Sequence, residues 1–291
     1  MLLQQIINGL TIGSTYALVA IGFSMVFGVL QLTNLAHSSV FMLGAYIAAF
    51  SLVHTLPVFW AILASVIGCG LFGIMIDRFA LMPMRKRGAI RSSYMTCTIG
   101  FSTFLQNLII IIFGAESIPF KEIIPRTTIS IGNAVVSYMQ IVIFVLILIL
   151  MVFTTFIINK TKIGAAMRAV AQNQKAARLM GIDINKVITF TFFFGSSLAA
   201  IAGVMIGTYY RSVDTTFGFT VGMKTFAAAV VGGIGVLPGA VVGGLLIGIA
   251  ESLFAGYVNA SFKDAVAFIL LIAILLIKPE GLLGRKKISK V

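Results

Sequence analysis

Acidic residues are nearly missing from this sequence. Eight Asp and Glu stand against 21 Lys and Arg in 291 residues, and all charged residues together make up 10% of the chain. A soluble domain carries roughly a quarter charged residues, so a water-soluble enzyme of this size is excluded. Cysteine is almost as scarce. Cys69 and Cys97 fall in separate apolar runs, which makes neither a disulfide framework nor a metal site and reads as buried free thiols. Histidine is limited to His37 and His54, near opposite ends of one apolar segment, so the clustered nucleophiles, bases or metal ligands of a membrane enzyme are lacking. No catalytic residue and no metal ligand is expected. The amino terminus, MLLQQIINGL, has no basic stretch ahead of its apolar run and no small-residue cleavage site; it reads as a retained segment rather than a signal peptide.

What is abundant is apolar: 59% of the residues. At ~20 apolar residues per crossing the chain holds about eight to ten spans and no separate soluble domain. The expected fold is one all-α integral membrane domain over 1–291. A net charge of +13 invites a nucleic-acid reading, but the basic residues sit in short clusters between apolar runs, which fits the positive-inside rule instead. Nucleic acid is therefore no expected partner, whereas the lipid bilayer is. Nine apolar runs are visible, at 2–32, 35–53, 57–76, 93–113, 138–158, 187–210, 217–236, 239–258 and 265–277. Three intervals, 77–91, 159–186 and 278–291, carry five, six and five basic residues, 16 of the 21. Placing them in the cytosol gives nine crossings with the amino terminus outside and the carboxyl terminus inside. Lys121, Arg126, Arg211 and Lys263 then balance Glu116, Glu122, Asp214 and Asp264 outside, and the inside 16 face only Asp77, Asp183 and Glu280.

The first run is too long. Thirty-one helical residues at ~1.5 Å each reach about 46 Å, against a hydrocarbon layer of ~30 Å. The polar cluster Gln31, Thr33, Asn34, His37, Ser38 and Ser39 is the natural break. Two readings stay open: an intramembrane break bordering a permeation path, since non-helical backbone at that depth must line a cavity or be buried in protein, or a cytosolic turn with Asn34 as an N-cap. The extracellular loop 115–137 contains Pro119, Pro125 and TTISIGNAVVS with a Gly132-Asn133 pair, the pattern of a small hairpin. It is either a docking surface for an external partner or a plain solvated loop.

Glycines recur every four residues in the last third, at Gly203 and Gly207, at Gly235, Gly239 and Gly243, and at Gly244 and Gly248. Such rows allow close helix packing. Pro238 is expected to interrupt the stretch from Lys224 to Gly244 and form a tight helical hairpin. Counted outward from Leu237, Lys224 lies 13 residues along one arm and Glu251 lies 14 along the other. Both reach a similar depth, about 20 Å from the turn at ~1.5 Å per residue. An unpaired charge there is costly, so the two are expected to pair, the alternative being that Lys224 snorkels alone.

The segment 159–186 is a different kind of element. Ile163, Met167 and Val170 form one apolar stripe, Asn173 interrupts it, and Gln174 to Met180 make a second short helix closed by Gly181. Met167, Val170, Leu179 and Met180 are expected to be exposed and received by lipid or a protein groove, with Arg168 and Arg178 as a charged rim.

This arrangement of Gly164, Arg168-Ala169, Asn173, Ala176-Ala177 and Gly181 resembles the coupling-helix region of the membrane subunits of bacterial ABC importers for branched-chain and other hydrophobic amino acids. The resemblance extends through INGLTIGSTYALVAIGFSMVFGVLQLTNLAH, FMLGAY, TIGFSTFLQN, GMKTFAAAVVGGIGVLPGAVVGGLLIG and KPEGLLGRK, in that order over nearly the whole chain. The chain departs from the family pattern after Asn34, Ala36 and His37, where Ser38 and Ser39 replace Gly-Glu. That removes an acidic group beside the expected cavity and bears on substrate identity.

The resemblance implies a non-catalytic permease subunit in a bacterial cytoplasmic membrane. Its implied partners are a second homologous permease subunit, as a heterodimer or a homodimer, two cytosolic ATPase subunits and an external solute-binding protein. ATP and Mg are then used by the ATPase subunits, with no cofactor on this chain. GFTVGMKT and GLLGRKK both fail the spacing of a phosphate-binding loop. By resemblance Gly164, Met167, Arg168, Val170, Asn173, Ala177, Arg178, Leu179, Met180 and Gly181 couple to the ATPase. Asn34, His37, Ser38, Thr96, Thr98, Asn107 and Ser197 are the polar candidates for the substrate pathway. Each could instead make a hydrogen bond between helices or within its own. Two alternatives remain, a related urea, short-amide or sugar permease and a stand-alone channel or ion-coupled transporter. The second would usually carry relay charges in several spans, whereas this chain offers the single pair Lys224 and Glu251.

Overall fold

A computed structural model describes residues 1–123, 127–131 and 134–284. Pro125, Arg126, the Gly132-Asn133 pair and the tail residues Arg285, Lys286, Lys287 and Lys290 lie outside the described residues.

The first helix, α1 (Leu2–Leu30), ends where Gln31 adopts φ 54° and its N–H bonds the carbonyl of Phe27. A non-helical connection that carries Gln31, Thr33 and Asn34 follows to α2 (His37–Val53). Pro57 precedes α3 (Val58–Met75), which runs without interruption through a π-helical turn (Ile76–Leu81) into α4 (Met82–Lys86). Then come α5 (Arg91–Phe113), β1 (Ile118–Pro119), β2 (Thr128–Ile131) and β3 (Ala134–Ser137). Ser137 and Gln140 form a capping box that starts α6 (Tyr138–Lys160), each satisfying a backbone N–H that the first turn leaves unpaired. The short helices α7 (Lys162–Gln172) and α8 (Gln174–Leu179) lead to α9 (Ile184–Tyr210). The chain closes with β4 (Ser212–Val213), α10 (Phe217–Gly232), α11 (Leu237–Tyr257), a 3-10 turn (Ala260–Phe262) and α12 (Lys263–Ile277).

Among the described residues, seven helical stretches are long and apolar enough to cross a membrane, and α2 and α10 are shorter apolar helices. The chain is a mostly helical, multi-pass membrane protein. The nine expected segments all form helices, but the 17 residues of α2 and 16 of α10 rise only about 24–26 Å, less than a ~30 Å hydrocarbon layer.

Helices α1 and α9 form the centre, with most of their residues buried, while α5, α6 and α12 are largely bare on their outer sides. The seam between α1 and α11 is unusually close: a Cβ at Gly13 would come within 2.9 Å of Gly244 O, and one at Gly248 within 2.2 Å of the Gly13 Cα. Without solvent-driven burial between helices in lipid, such backbone approach supplies van der Waals contact that larger residues would prevent. Gly235 serves differently from the packing role expected of it: it sits in the α10–α11 turn at φ 86°, a conformation that favours glycine.

Three expectations change. Pro238 does not interrupt a helix but occupies the first turn of α11, where its missing N–H has no intrahelical partner to lose. The interval 77–91, expected as a basic cytosolic stretch between two apolar runs, continues the helix of the run before it as far as Lys86. The segment 115–137 does hold an antiparallel hairpin, with Ile129 opposite Val136 and Ser130 opposite Val135, but β1 of the same segment pairs with the distant β4, which no local pattern announced.

Candidate functional site

The short-helix region is built on the end of α6. Thr161 caps α7 by accepting the Gly164 N–H at 3.1 Å. A Cβ at Gly164 would come within 2.2 Å of Ile158 O, so the close fold of α7 over the end of α6 requires glycine there. Arg168 closes the same corner: its guanidinium donates to the Ile158 carbonyl. Asn173 then caps α8, its side-chain oxygen accepting from Lys175 N at 3.0 Å and Ala176 N at 3.1 Å. Gly181, at φ 80°, lets Ile182 N–H reach the Ala177 carbonyl at 3.0 Å and ends the helix. Asp183 caps α9 through Asn185 N and Lys186 N.

The two faces of this handle differ. Met167 and Val170, 3% and 1% exposed, lie in the chain's own core with Gly164 and Ala177. This corrects the expectation that Met167 and Val170 are presented outward: α7 packs them against α1, α6 and α9. Arg168, expected on a docking rim, is committed to the α6–α7 corner. Leu179 and Met180 remain at the tip, 89% and 82% exposed, beside exposed Arg178. A pocket of about 390 Å³ separates the handle from the end of α1, lined by Val29, Leu30, Gln31, Gln172, Asn173 and Gln174 among others.

The polar break lies on the same side of the molecule and turns back into it. His37 begins α2 level with Gly22, where a Cβ would come within 2.4 Å of His37 Nε2. Gly22 is eight residues short of the end of α1, so the 31–36 connection returns about 12 Å along that helix. Asn34 accepts the Ala36 N–H at 3.2 Å, and Ser38 donates to Leu35 O at 2.8 Å. Thr98 of α5 accepts the Leu35 N–H at 3.3 Å, and Ser39 meets Ser102 at 2.6 Å. Asn34, Ser38 and Thr98 are thus brought together, with Ser39 and Ser102, which sequence reasoning had not paired. The crevice beside them, lined by Phe23, Phe27, Thr33, Asn34, Phe226 and Ile234, is closed to about 10 Å³, room for no more than a water.

Other pathway candidates fall elsewhere. His37 does not line that crevice; it is buried between Gly22 and Gly195 with its ring edge-on to Phe23. Thr96 and Asn107 are exposed on α5 and donate within it, to Ser92 O and Thr103 O. Ser197 bonds Val66 O of α3 at 3.3 Å.

At the opposite end of the α10–α11 hairpin, Lys224 Nζ donates to Glu251 Oε1 at 2.7 Å, both side chains buried. Two further groups join them. Asp264, at the start of α12 and 49% exposed, is 2.5 Å from the same ammonium. Tyr16 of α1 accepts from Lys224 at 3.3 Å and donates to Glu251 Oε2 at 3.1 Å. One cation, two carboxylates and the Tyr16 hydroxyl therefore tie four helices, α10, α11, α12 and α1. A second buried ion pair went unnoticed in the sequence: Asp77, fully buried, binds Arg85 at 2.7 Å and accepts from Thr189 of α9 at 2.7 Å. Its only local signal is the spacing of eight residues, about two helical turns on one face.

Comparison with known proteins gives one consistent result. The family described as the permease component of branched-chain amino acid transport systems matches residues 5–275. The high-affinity branched-chain amino acid transport system permease protein BraD of Pseudomonas aeruginosa is 41% identical, over 99% of this chain and 98% of that protein. The corresponding LivH of Escherichia coli is 38% identical over 99% and 97%. Among solved structures, a chain of PsaBC from Streptococcus pneumoniae in complex with Fab shares the fold at a TM-score of 0.52 and 15% identity, covering 94% of this chain and 91% of that one.

Proposed function

This chain belongs to the permease family of branched-chain amino acid transport systems, and from that premise we propose that it is the non-catalytic translocation subunit of an ATP-driven importer. It moves branched-chain or other hydrophobic amino acids inward across a bacterial cytoplasmic membrane by alternating access. The nine apolar helices among the described residues cross or enter the membrane with the amino terminus outside and the handle in the cytosol, so that the basic residues collect on the inner face. In that orientation the 31–36 connection re-enters the membrane from the inside, and Asn34, Ser38 and Thr98 border the pathway.

The observation that carries this reading is the division of labour within residues 161–182. Gly164, Met167, Val170 and Ala177 root the handle in the core, while Leu179 and Met180 stand free on a capped helix. An exposed apolar tip on a rigid base suits insertion into a groove of another protein. The partners are two ATPase subunits, which use ATP and Mg, a second homologous permease subunit and an external solute-binding protein. Nucleotide can drive the transition only through a different affinity for the two conformations, and the rooted handle transmits that difference to α1, α6 and α9. The test is to isolate the chain with its natural partners and measure ATP hydrolysis stimulated by leucine, urea or ribose. Stimulation by leucine is expected; stimulation by urea or ribose alone reassigns the substrate. An active transporter isolated without any ATPase overturns the proposal.

A further inference from the structure

The helix Val58–Lys86 spans 29 residues, about 44 Å at ~1.5 Å per residue. Only about 20 of these are needed to cross a ~30 Å hydrocarbon layer. Counted from Val58, the crossing ends near Asp77 and Arg78, and the rest of the helix stands at headgroup level and beyond. That protruding part carries Arg78, Arg85, Lys86 and Arg87 within ten residues. Their fates differ. Arg85 turns inward to the buried Asp77, while Arg78, Lys86 and Arg87 are exposed and line a pocket of about 310 Å³ together with Met82 and Pro83. Among the described residues, no carboxylate pairs with any of these three. Phe79, on the same turn, is 77% exposed.

Three uncompensated cations around an open pocket call for an anion. The i, i+4, i+8 spacing of Arg78, Met82 and Lys86 places two of them on one helical face with a thioether between them, and Arg87 flanks it. Arginine binds a phosphate with a planar fork and lysine as a point charge. The neighbouring exposed Phe79, at the level where the helix leaves hydrocarbon, fits an amphiphile better than a wholly aqueous anion. We propose that Arg78, Lys86 and Arg87 form a binding site for the headgroup phosphate of an anionic phospholipid of the leaflet on the handle's side, with the acyl chains running along α3 past Phe79. Arg85 does not bind the lipid. Its pairing with Asp77, which Thr189 ties to α9, holds the helix in the position that builds the pocket. The site is independent of which solute is carried and of whether the handle engages an ATPase.

The test uses the full chain in its natural complex, placed in nanodiscs of phosphatidylcholine and titrated with phosphatidylglycerol or cardiolipin, with retained lipid counted by native mass spectrometry. A basic side chain near a charged membrane surface contributes about a fivefold change in affinity, so Lys86→Gln is expected to weaken phosphatidylglycerol binding about fivefold and R78Q/K86Q/R87Q about a hundredfold. Lys160→Gln with Lys162→Gln, exposed on the handle's side but remote from the pocket in sequence, leaves it unchanged. Equal retention by the triple variant and the parent overturns the proposal. Displacement of the lipid by millimolar glycerol phosphate would overturn the lipid assignment in favour of a soluble phosphate. Loss of a protein subunit from the triple variant with lipid retained would assign the three cations to a protein contact instead.

Discussion

His37 occupies the space that a side chain at Gly22 would need: a Cβ there would stand 2.4 Å from His37 Nε2 and 3.2 Å from Gly195 O. The start of α2 is thereby locked between the two central helices, and the polar break is held inside the fold. Gly22→Ala is expected to force the imidazole out, lowering stability by about 1–3 kcal/mol, the usual range for overpacking. Thermal unfolding of the purified protein measures it. Removing the ring in G22A/H37A should recover part of the loss, and strictly additive effects of the two changes would refute the contact.

Lys224 is the one cation for two carboxylates, and its neighbours are not equivalent. Glu251 is buried, whereas Asp264 is half exposed and can be hydrated if the ammonium goes. Lys224→Met strands Glu251 and is expected to cost about 3–5 kcal/mol. K224M/E251L, which removes both buried charges, should be markedly more stable than K224M alone. A double variant as unstable as the single one would show that the tie acts through Asp264 and Tyr16 rather than through Glu251.

These residues show what a linear reading can reach. Hydropathy made the nine apolar helices among the described residues visible because apolar length is a one-dimensional property, and the depth count along the α10–α11 hairpin placed Lys224 beside Glu251 because a hairpin relates its arms by symmetry. Asp264 and Tyr16 come from helices whose placement against that hairpin only packing decides. The charges at 77–91 concealed a helix for the same reason: Asp77 and Arg85 resemble solvated residues until they are seen to pair, with Thr189 of α9 donating to Asp77. The stripe Met167 and Val170 was legible as apolar, but a stripe does not say which surface buries it. Here the chain's own core does, leaving the exposed tip to Leu179 and Met180.

That second ion pair is also testable. Arg85→Gln leaves the fully buried carboxylate of Asp77 with Thr189 alone, and a loss of about 3–5 kcal/mol is expected, seen as a lower midpoint in thermal unfolding. D77N/R85Q replaces charges by amides that can still bond Thr189 and should recover much of it. No recovery would mean that the pair matters for the geometry of the π-helical turn rather than for burial of charge.

The handle offers the sharpest separation, because its two faces predict opposite outcomes. Met167→Ala empties a packed site, and by the usual cost of such truncation should destabilise the protein by about 2–5 kcal/mol; uptake falls because the base loosens. Leu179→Ser with Met180→Ser changes two side chains that are almost wholly exposed in this chain, so the unfolding midpoint should stay where it is. If the tip sits in an ATPase groove, burying each side chain is worth about 1.5–3 kcal/mol, and losing both should weaken subunit association by at least two orders of magnitude. The pairing of measurements is what decides: unfolding of the purified chain reads the inner face, and co-purification of the ATPase with solute-stimulated hydrolysis reads the tip. Full uptake by the Leu179, Met180 double variant would remove the proposed coupling contact even if the Met167 variant behaved as expected.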